Sequence, residues 1–146
     1  LAKAEAEIIQ NTIKFNDTKV EKVMTKAEDI TAVCVTDGFK SIKKVFVDSN
    51  YSRVPVFDDG RQDVIGILYR ADFYEMLLSN KSNINKILKP VLFTTSDTVI
   101  SDLFETLQDR QVPQAIVKDD GIITGLISME DILEELVGEI DDKYDY

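Results

Sequence analysis

The sequence predicts an α+β fold of two tandem repeats, each about β-α-β-β-α, packed about a pseudo-two-fold axis. Three observations carry that prediction. The order strand, helix, strand, strand, helix occurs twice along the chain. Landmarks recur at a nearly constant displacement, which marks an internal repeat. Ile42 and Phe46 match Ile100 and Phe104, and Val54-Pro55 matches Val112-Pro113, 58 residues on; Gly66 matches Gly125 and Asp72 matches Asp131, 59 residues on. Finally, residues 121–137 pass from an apolar strand into an amphipathic helix. Ile122, Ile123, Leu126 and Ile127 form the apolar run, interrupted by Gly125, and Met129, Ile132, Leu133, Leu136, Val137 and Ile140 fall on one helix face.

The first copy carries about six extra residues between Met24 and Val33 on this alignment. The expected boundaries are an N-terminal linker helix over 1–19, repeat 1 over 20–80, repeat 2 over 81–140, and an acidic tail over 141–146.

The elements follow in order. Residues 1–15 are rich in Ala, Glu, Lys and Ile, and Ile8, Ile9, Ile13 and Phe15 give a partial apolar face that needs a domain or partner chain to cover it. Asn16-Asp17-Thr18 is a break and an expected N-cap for a short helical piece over Lys19–Met24. Ile30–Val35 reads as a strand, Asp37-Gly38 as a turn, and Phe39 to about Ser49-Asn50 as a helix. Val54–Phe57 and Val64–Leu68 are strands around Asp58-Asp59-Gly60, and Arg70–Leu78 is a helix with Phe73, Met76 and Leu77 on one face. In the second copy Ile84, Ile87 and Leu88 form a short helical approach ended by Pro90, and Val91–Phe93 is strand-like. Ser96-Asp97 precedes a helix bearing Val99, Ile100, Leu103, Phe104 and Leu107. Ala115–Val117 is a strand, and Asp119-Asp120-Gly121 turns the chain into the strand and helix described first.

Composition excludes several function classes. The 146 residues carry a formal net charge of −10, with 44% hydrophobic and 30% charged residues, as in globular proteins. That charge opposes duplex nucleic-acid binding, which needs clustered Lys and Arg, and opposes docking on an anionic membrane. No apolar run approaches the roughly 18 residues of a membrane-spanning helix, and no signal peptide is evident. The absence of histidine removes imidazole bases, Ser-His and Cys-His pairs and the usual zinc sites. The lone Cys34 sits in an apolar run and reads as a small buried hydrophobe. A start at Leu1 rather than Met is expected of a piece excised from a longer chain.

The chemistry-bearing motif is Ser128-x-x-Asp131, at the junction of strand and helix. It fits two readings. One is a capping box, in which Ser128 accepts from a first-turn N–H and Asp131 favours the positive helix end. The other is a site for an anionic or ribose-bearing ligand, met by orphan N–H groups, a hydroxyl and a carboxylate. Asp72 and Arg53 likewise fit a helix-start charge and an ion pair, or ligand contacts. The acidic run Glu134–Asp145 reads as a solvated face or dimer contact rather than a metal site.

With Val-Pro before the second strand and Gly-x-x-x-x-x-Asp at the third, each copy resembles a CBS domain, and the tandem resembles the paired module called a Bateman module. The likeness covers roughly residues 20–140. Val23-Met24-Thr25, Tyr51-Ser52-Arg53-Val54-Pro55-Val56 and the run Glu130–Asp142 are similar to the CBS pair of CorC/HlyC-type, hemolysin-like proteins, relatives of the cyclin M transporters. That resemblance implies a parent linked to magnesium or cobalt efflux, with this chain on the cytoplasmic side of a bacterial cell membrane and a further C-terminal domain beyond the acidic tail. It implies binding rather than catalysis: AMP or ATP held in clefts between the repeats, with Mg²⁺ arriving on the nucleotide.

Carried over position by position, the resemblance implies that Asp131 holds the ribose hydroxyls and Ser128 the phosphate. Arg53 supplies positive charge, and Val112, Pro113 and the segment Thr25–Ile30 line the base. A second, pseudo-symmetric site would use Asp72, Tyr69, Pro55 and Thr94, with Tyr69 replacing Ser128 and filling space; one occupied site per chain is expected. The leading expectation is thus a regulatory nucleotide-binding module, homodimeric through its CBS pairs and coupled to a membrane domain of the same parent chain. The alternative is a purely structural dimerisation module with empty clefts. An enzyme is disfavoured, since no phosphate-cradling Gly-x-x-x-x-Gly-Lys and no base–nucleophile pair is present.

Overall fold

The structure is a computed structural model, and it describes residues 2–137. The expected helix-face position Ile140, the acidic tail 141–146 and the motif residues from Gly138 onward lie outside the described residues. In chain order the elements are α1 (Ala2–Phe15), β1 (Thr25–Lys26), β2 (Val33–Cys34), α2 (Phe39–Ser49), β3 (Arg53–Phe57), β4 (Val64–Tyr69), α3 (Arg70–Leu78), β5 (Leu92–Thr94), α4 (Ile100–Arg110), β6 (Gln114–Asp119), β7 (Ile122–Ser128) and α5 (Met129–Val137). They form two compact units, one from residues 1–28 with 92–146 and one from residues 29–91.

In the first unit the sheet runs β1-β7-β6-β5, with β5 parallel to β6 and the other pairs antiparallel. Its apolar side is filled by Ile100, Leu103 and Leu107 of α4, Ala115 and Val117 of β6, Ile127 of β7 and Ile132 of α5, with Val20 closing the cluster. The i, i+3, i+7 spacing on α4 is what places three buried side chains on one face. α1 packs on α5, where the Asn11 amide donates to the Val137 carbonyl at 2.9 Å, and Phe15 meets Phe104 edge-on at 5.8 Å. Ile8, Ile9 and Ile13 remain more than half exposed.

In the second unit β2, β3 and β4 form a mixed sheet, β2 parallel to β3 and β3 antiparallel to β4. Lys89 lies along the free edge of β4, exchanging hydrogen bonds with Ile67 at 3.0 and 2.9 Å. Ile42 and Phe46 of α2 and Phe73 and Met76 of α3 meet Val33, Val54, Val56 and Leu68 in the core. Phe39, Phe46, Phe73 and Tyr74 pack as neighbouring rings with centroids 5.7 to 6.5 Å apart.

Superposing the internal hydrogen-bond registers corrects the alignment drawn from sequence. Thr25 and Lys89 are equivalent edge residues, 64 apart. Val33 matches Thr94, α2 matches α4, and β3 matches β6 at a displacement of 61. Tyr69 matches Ser128 and α3 matches α5 at 59. Ile42 and Phe46 therefore correspond to Leu103 and Leu107, not to Ile100 and Phe104. The counterparts of Val112-Pro113 are Tyr51-Ser52, not Val54-Pro55. The first copy has three extra residues before Val33, not about six, and two more in its hairpin loop. Those three accommodate a 3₁₀ turn over Ala27–Asp29, so only Val33–Cys34 of the expected strand Ile30–Val35 pairs. Lys19–Met24 is likewise a single 3₁₀ turn over Val20–Lys22 with no side-chain cap, so Asn16-Asp17-Thr18 does not cap it.

Gly66 and Gly125 hold their places for one reason. A Cβ on Gly125 would stand 2.7 Å from the Thr25 carbonyl oxygen, and one on Gly66 would stand 2.9 Å from the Leu88 Cβ. Each glycine lets the edge segment cross β7 or β4 at close range. Beside each lies a bulge, with Thr124 and Ile65 as the unpaired extra residues. The β6–β7 hairpin closes on Asp120 and Gly121, both at positive φ (50° and 79°), as a two-residue primed turn requires. Asp119 clamps this end: its carboxylate accepts from the Ser96 N–H at 3.0 Å and the Thr124 hydroxyl at 2.8 Å.

Two predictions follow from these contacts. Gly125→Ala pushes the new methyl into backbone and should destabilise the protein by about 1–3 kcal/mol in urea unfolding. Gly60→Ala meets only the Gln62 side chain at 4.0 Å and should stay within about 0.5 kcal/mol of wild type. The Ser96 N–H, and after it the Thr124 hydroxyl, hold the Asp119 carboxyl below its ordinary 3.8. A depressed folded pKa contributes stability that is complete above the unfolded value and is lost as pH falls through the folded one. Asp119→Asn should therefore be less stable than wild type at neutral pH, with the gap closing below about pH 3.8 in denaturation measured across pH. A gap unchanged from pH 7 to pH 2 would refute that role.

Candidate functional site

The site is built where β7 hands over to α5. β6 and β7 pair Gln114 with Ser128, which sets the last strand residue beside the entry to β6. That entry is fixed by α4 ending on Gln111 in the left-handed region (φ 55°), after which the Val112 N–H returns to the Leu107 carbonyl at 3.0 Å. The Pro113 carbonyl accepts from the Met129 N–H at 2.9 Å, tying the first turn of α5 to the strand entry.

Ser128 and Asp131 form a reciprocal cap. The Asp131 N–H donates to the Ser128 hydroxyl, and the Ser128 N–H donates to Oδ2 of Asp131, both at 3.1 Å. Both residues are half-buried. Two orphan donors of the helix start are thereby satisfied, and the two first-turn acids, Glu130 and Asp131, sit at the positive end of the helix dipole. The capping reading of the motif is realised in the fold. The hydroxyl and carboxylate are also held in fixed orientations, which is the condition for using them on a ligand. Thr25 lies on β1 opposite Leu126, two residues before Ser128. Thr25, Val112, Pro113, Ser128 and Asp131 thus all belong to the first unit.

The remaining expected ligand residues belong elsewhere. Arg53 starts β3 opposite Tyr69, and Ile30 precedes β2; both are in the second unit. Thr94, on the edge strand β5 opposite Val117, is in the first unit, whereas Pro55, Tyr69 and Asp72 are in the second. Pro55 is buried in mid-strand opposite Ile67. Ile67 turns its N–H and carbonyl to Lys89, so the missing Pro55 N–H faces the other side, where the β2 ladder begins only at Val56. Pro55 is a strand residue, and the counterpart of Pro113 is Ser52, whose carbonyl accepts from the Arg70 N–H at 2.9 Å. Tyr69 occupies the cap position of α3 with no side-chain cap hydrogen bond, so the first copy lacks the reciprocal arrangement.

Asp72 lines a pocket of about 310 Å³ beside α3, together with Glu75, Met76, Lys81, Lys86 and Lys89 among others. These lysines were missed in the sequence because they fall in the aperiodic stretch between α3 and β5, where no motif groups them. Among the described residues no set of three or more Cys, Asp or Glu side chains is placed to hold a metal ion.

Comparison with known proteins agrees with this fold. The family model described as "CBS domain" matches residues 17–79 and again residues 84–138. Hemolysin C of Brachyspira hyodysenteriae is 34% identical over 99% of this chain, and the chain spans 54% of that protein's length. The CBS domain of a bacterial CNNM/CorC family Mg²⁺ transporter, solved in complex with ATP, superposes with a TM-score of 0.84 at 26% identity, covering 92% of this chain and 97% of that one. A CBS-domain pair from Klebsiella pneumoniae with bound AMP superposes with a TM-score of 0.70 at 27% identity, covering 82% and 98%. Two copies of one α+β unit, each with a glycine-crossed strand running into a helix, account for both matches: the chain belongs to the CBS domain family, as a tandem pair resembling the modules of CNNM/CorC transporters and hemolysin C.

Proposed function

We propose that this chain is a regulatory adenosine-nucleotide-binding module of a membrane ion transporter of the magnesium or cobalt type. The observation that carries it is the rigid Ser128–Asp131 pair at the start of α5, in a fold shared with pairs that were solved with ATP and AMP. The cap occupies Oδ2 of Asp131, and the proposal places the ribose hydroxyls on Oδ1, since a carboxylate accepts at both oxygens. The Ser128 hydroxyl faces the phosphate, and the backbone of Val112, Pro113 and Thr25 borders the base. Arg53 is assigned the phosphate charge, which a chain of net charge −10 needs from a guanidinium or from Mg²⁺ carried by the nucleotide. In the copy around Asp72, Tyr69 stands where Ser128 would be and no cap forms, so one nucleotide per chain is proposed.

The module acts by binding, not by catalysis. It is proposed to work as a homodimer on the cytoplasmic side of the membrane; no described helix is long and apolar enough to cross one. Regulation requires that the nucleotide bind one arrangement of the parent more tightly than another. One observation favours the alternative of a structural dimerisation module: the cap engages Ser128 and Asp131 in folding alone.

Calorimetric titration with AMP and with ATP, with and without Mg²⁺, separates the two. Saturable one-site binding is expected, with at least a tenfold loss of affinity in Asp131→Ala. At a hundredfold excess over Kd the ligand should stabilise the fold by about 2.7 kcal/mol. Ser128→Ala should cost about 1 kcal/mol of stability through the lost cap, whichever function holds. No saturable binding of either nucleotide by the folded protein would leave the structural role standing.

A further inference from the structure

We propose that the pocket beside α3 is an anion site of its own, taking free inorganic pyrophosphate or an anion of that size, and not a nucleotide, at Lys81, Lys86 and Lys89. This goes beyond nucleotide binding at Ser128 and Asp131 and does not depend on it. The pocket's volume, about 310 Å³, lies at the lower end of the roughly 300–1,000 Å³ of small-molecule sites and suits a small anion. Three lysines line it with two acids, Asp72 and Glu75, in a chain whose net charge is −10. Among the described residues no ion pair joins these lysines to either carboxylate. Lysine serves phosphate as a point charge, and three lysines against two acids give the pocket lining a net positive charge in an acidic chain.

The fold does not demand Lys89. In the equivalent positions of the other copy, Lys86 and Lys89 become Lys22 and Thr25, while Asp72, Glu75 and Met76 become Asp131, Glu134 and Glu135. The two flanks differ at Lys89 against Thr25 and at Met76 against Glu135, so the pocket's flank is the more basic of the two. Met76, Ile87 and Leu88 also line the pocket, so part of its wall is apolar.

The test is titration of the whole chain with inorganic pyrophosphate. Wild type should bind one equivalent, with affinity falling as salt rises. The three lysine side chains are exposed, so the Lys81→Glu, Lys86→Glu, Lys89→Glu triple variant should keep the wild-type circular dichroism and Tm while losing pyrophosphate affinity at least tenfold. Lys86→Ala alone should lose several-fold. Asp131→Ala should bind pyrophosphate as wild type does, and the triple variant should bind ATP at the nucleotide site as wild type does. Absence of saturable pyrophosphate binding by wild type, equal affinity in the triple variant, or loss of binding in Asp131→Ala would each overturn the proposal.

Discussion

Both sheets depend on one close approach. A short edge segment lies across a glycine in the returning strand of the hairpin, Thr25 against Gly125 and the Leu88-Lys89 segment against Gly66. Without a Cβ in the way, the crossing backbone comes near enough to exchange ladder hydrogen bonds, as Lys89 and Ile67 do at 2.9 and 3.0 Å. The edge pairing shields strands that would otherwise expose unpaired N–H and C=O groups. It also brings Thr25 and its neighbours alongside the strand that ends at Ser128. The steric demand at one atom position thus fixes both a sheet boundary and the border of the candidate site.

Most of the architecture was legible because it is written in apolar periodicity and turn chemistry. The α3 bounds, the β6–β7 hairpin at Asp120-Gly121 and the strand-to-helix junction at Ser128 all follow from local signals. The register between the copies did not. α4 carries apolar residues at 100, 103, 104 and 107, so a shift of three residues still lays apolar on apolar, and periodicity cannot tell the two alignments apart. The Val-Pro dipeptides added a false anchor, since one lies at a strand entry and the other inside a strand. The edge pairing of β1 was invisible for another reason: two residues paired across a long sequence separation leave no local pattern.

The candidate site was partly legible for a related reason. Ser128 and Asp131 are close in sequence, and one turn of helix makes their meeting predictable. Their cap and their proposed ligand role rest on the same two side chains, so the pattern that reveals the cap also suggests the site. Capping and binding are compatible here: a side chain already locked by a helix start loses little rotamer freedom when it meets a ligand. The lysines around the α3 pocket belong to no such pattern. They are brought together by the path of the chain after α3, and only coordinates disclose them.

The edge strand has a consequence for the order in which the chain can fold. Residues 29–91 make a unit continuous in sequence, which can close its own sheet as soon as it is synthesised. The other unit needs residues 1–28 together with 92–146, so its N-terminal part waits, without its sheet, until more than sixty intervening residues have been made. Loop-closure entropy grows only slowly with length, so the long separation adds little to the cost of pairing β1 with β7. Any lesion that delays it leaves β1, with its unpaired edge, exposed for longer to pairing with other chains.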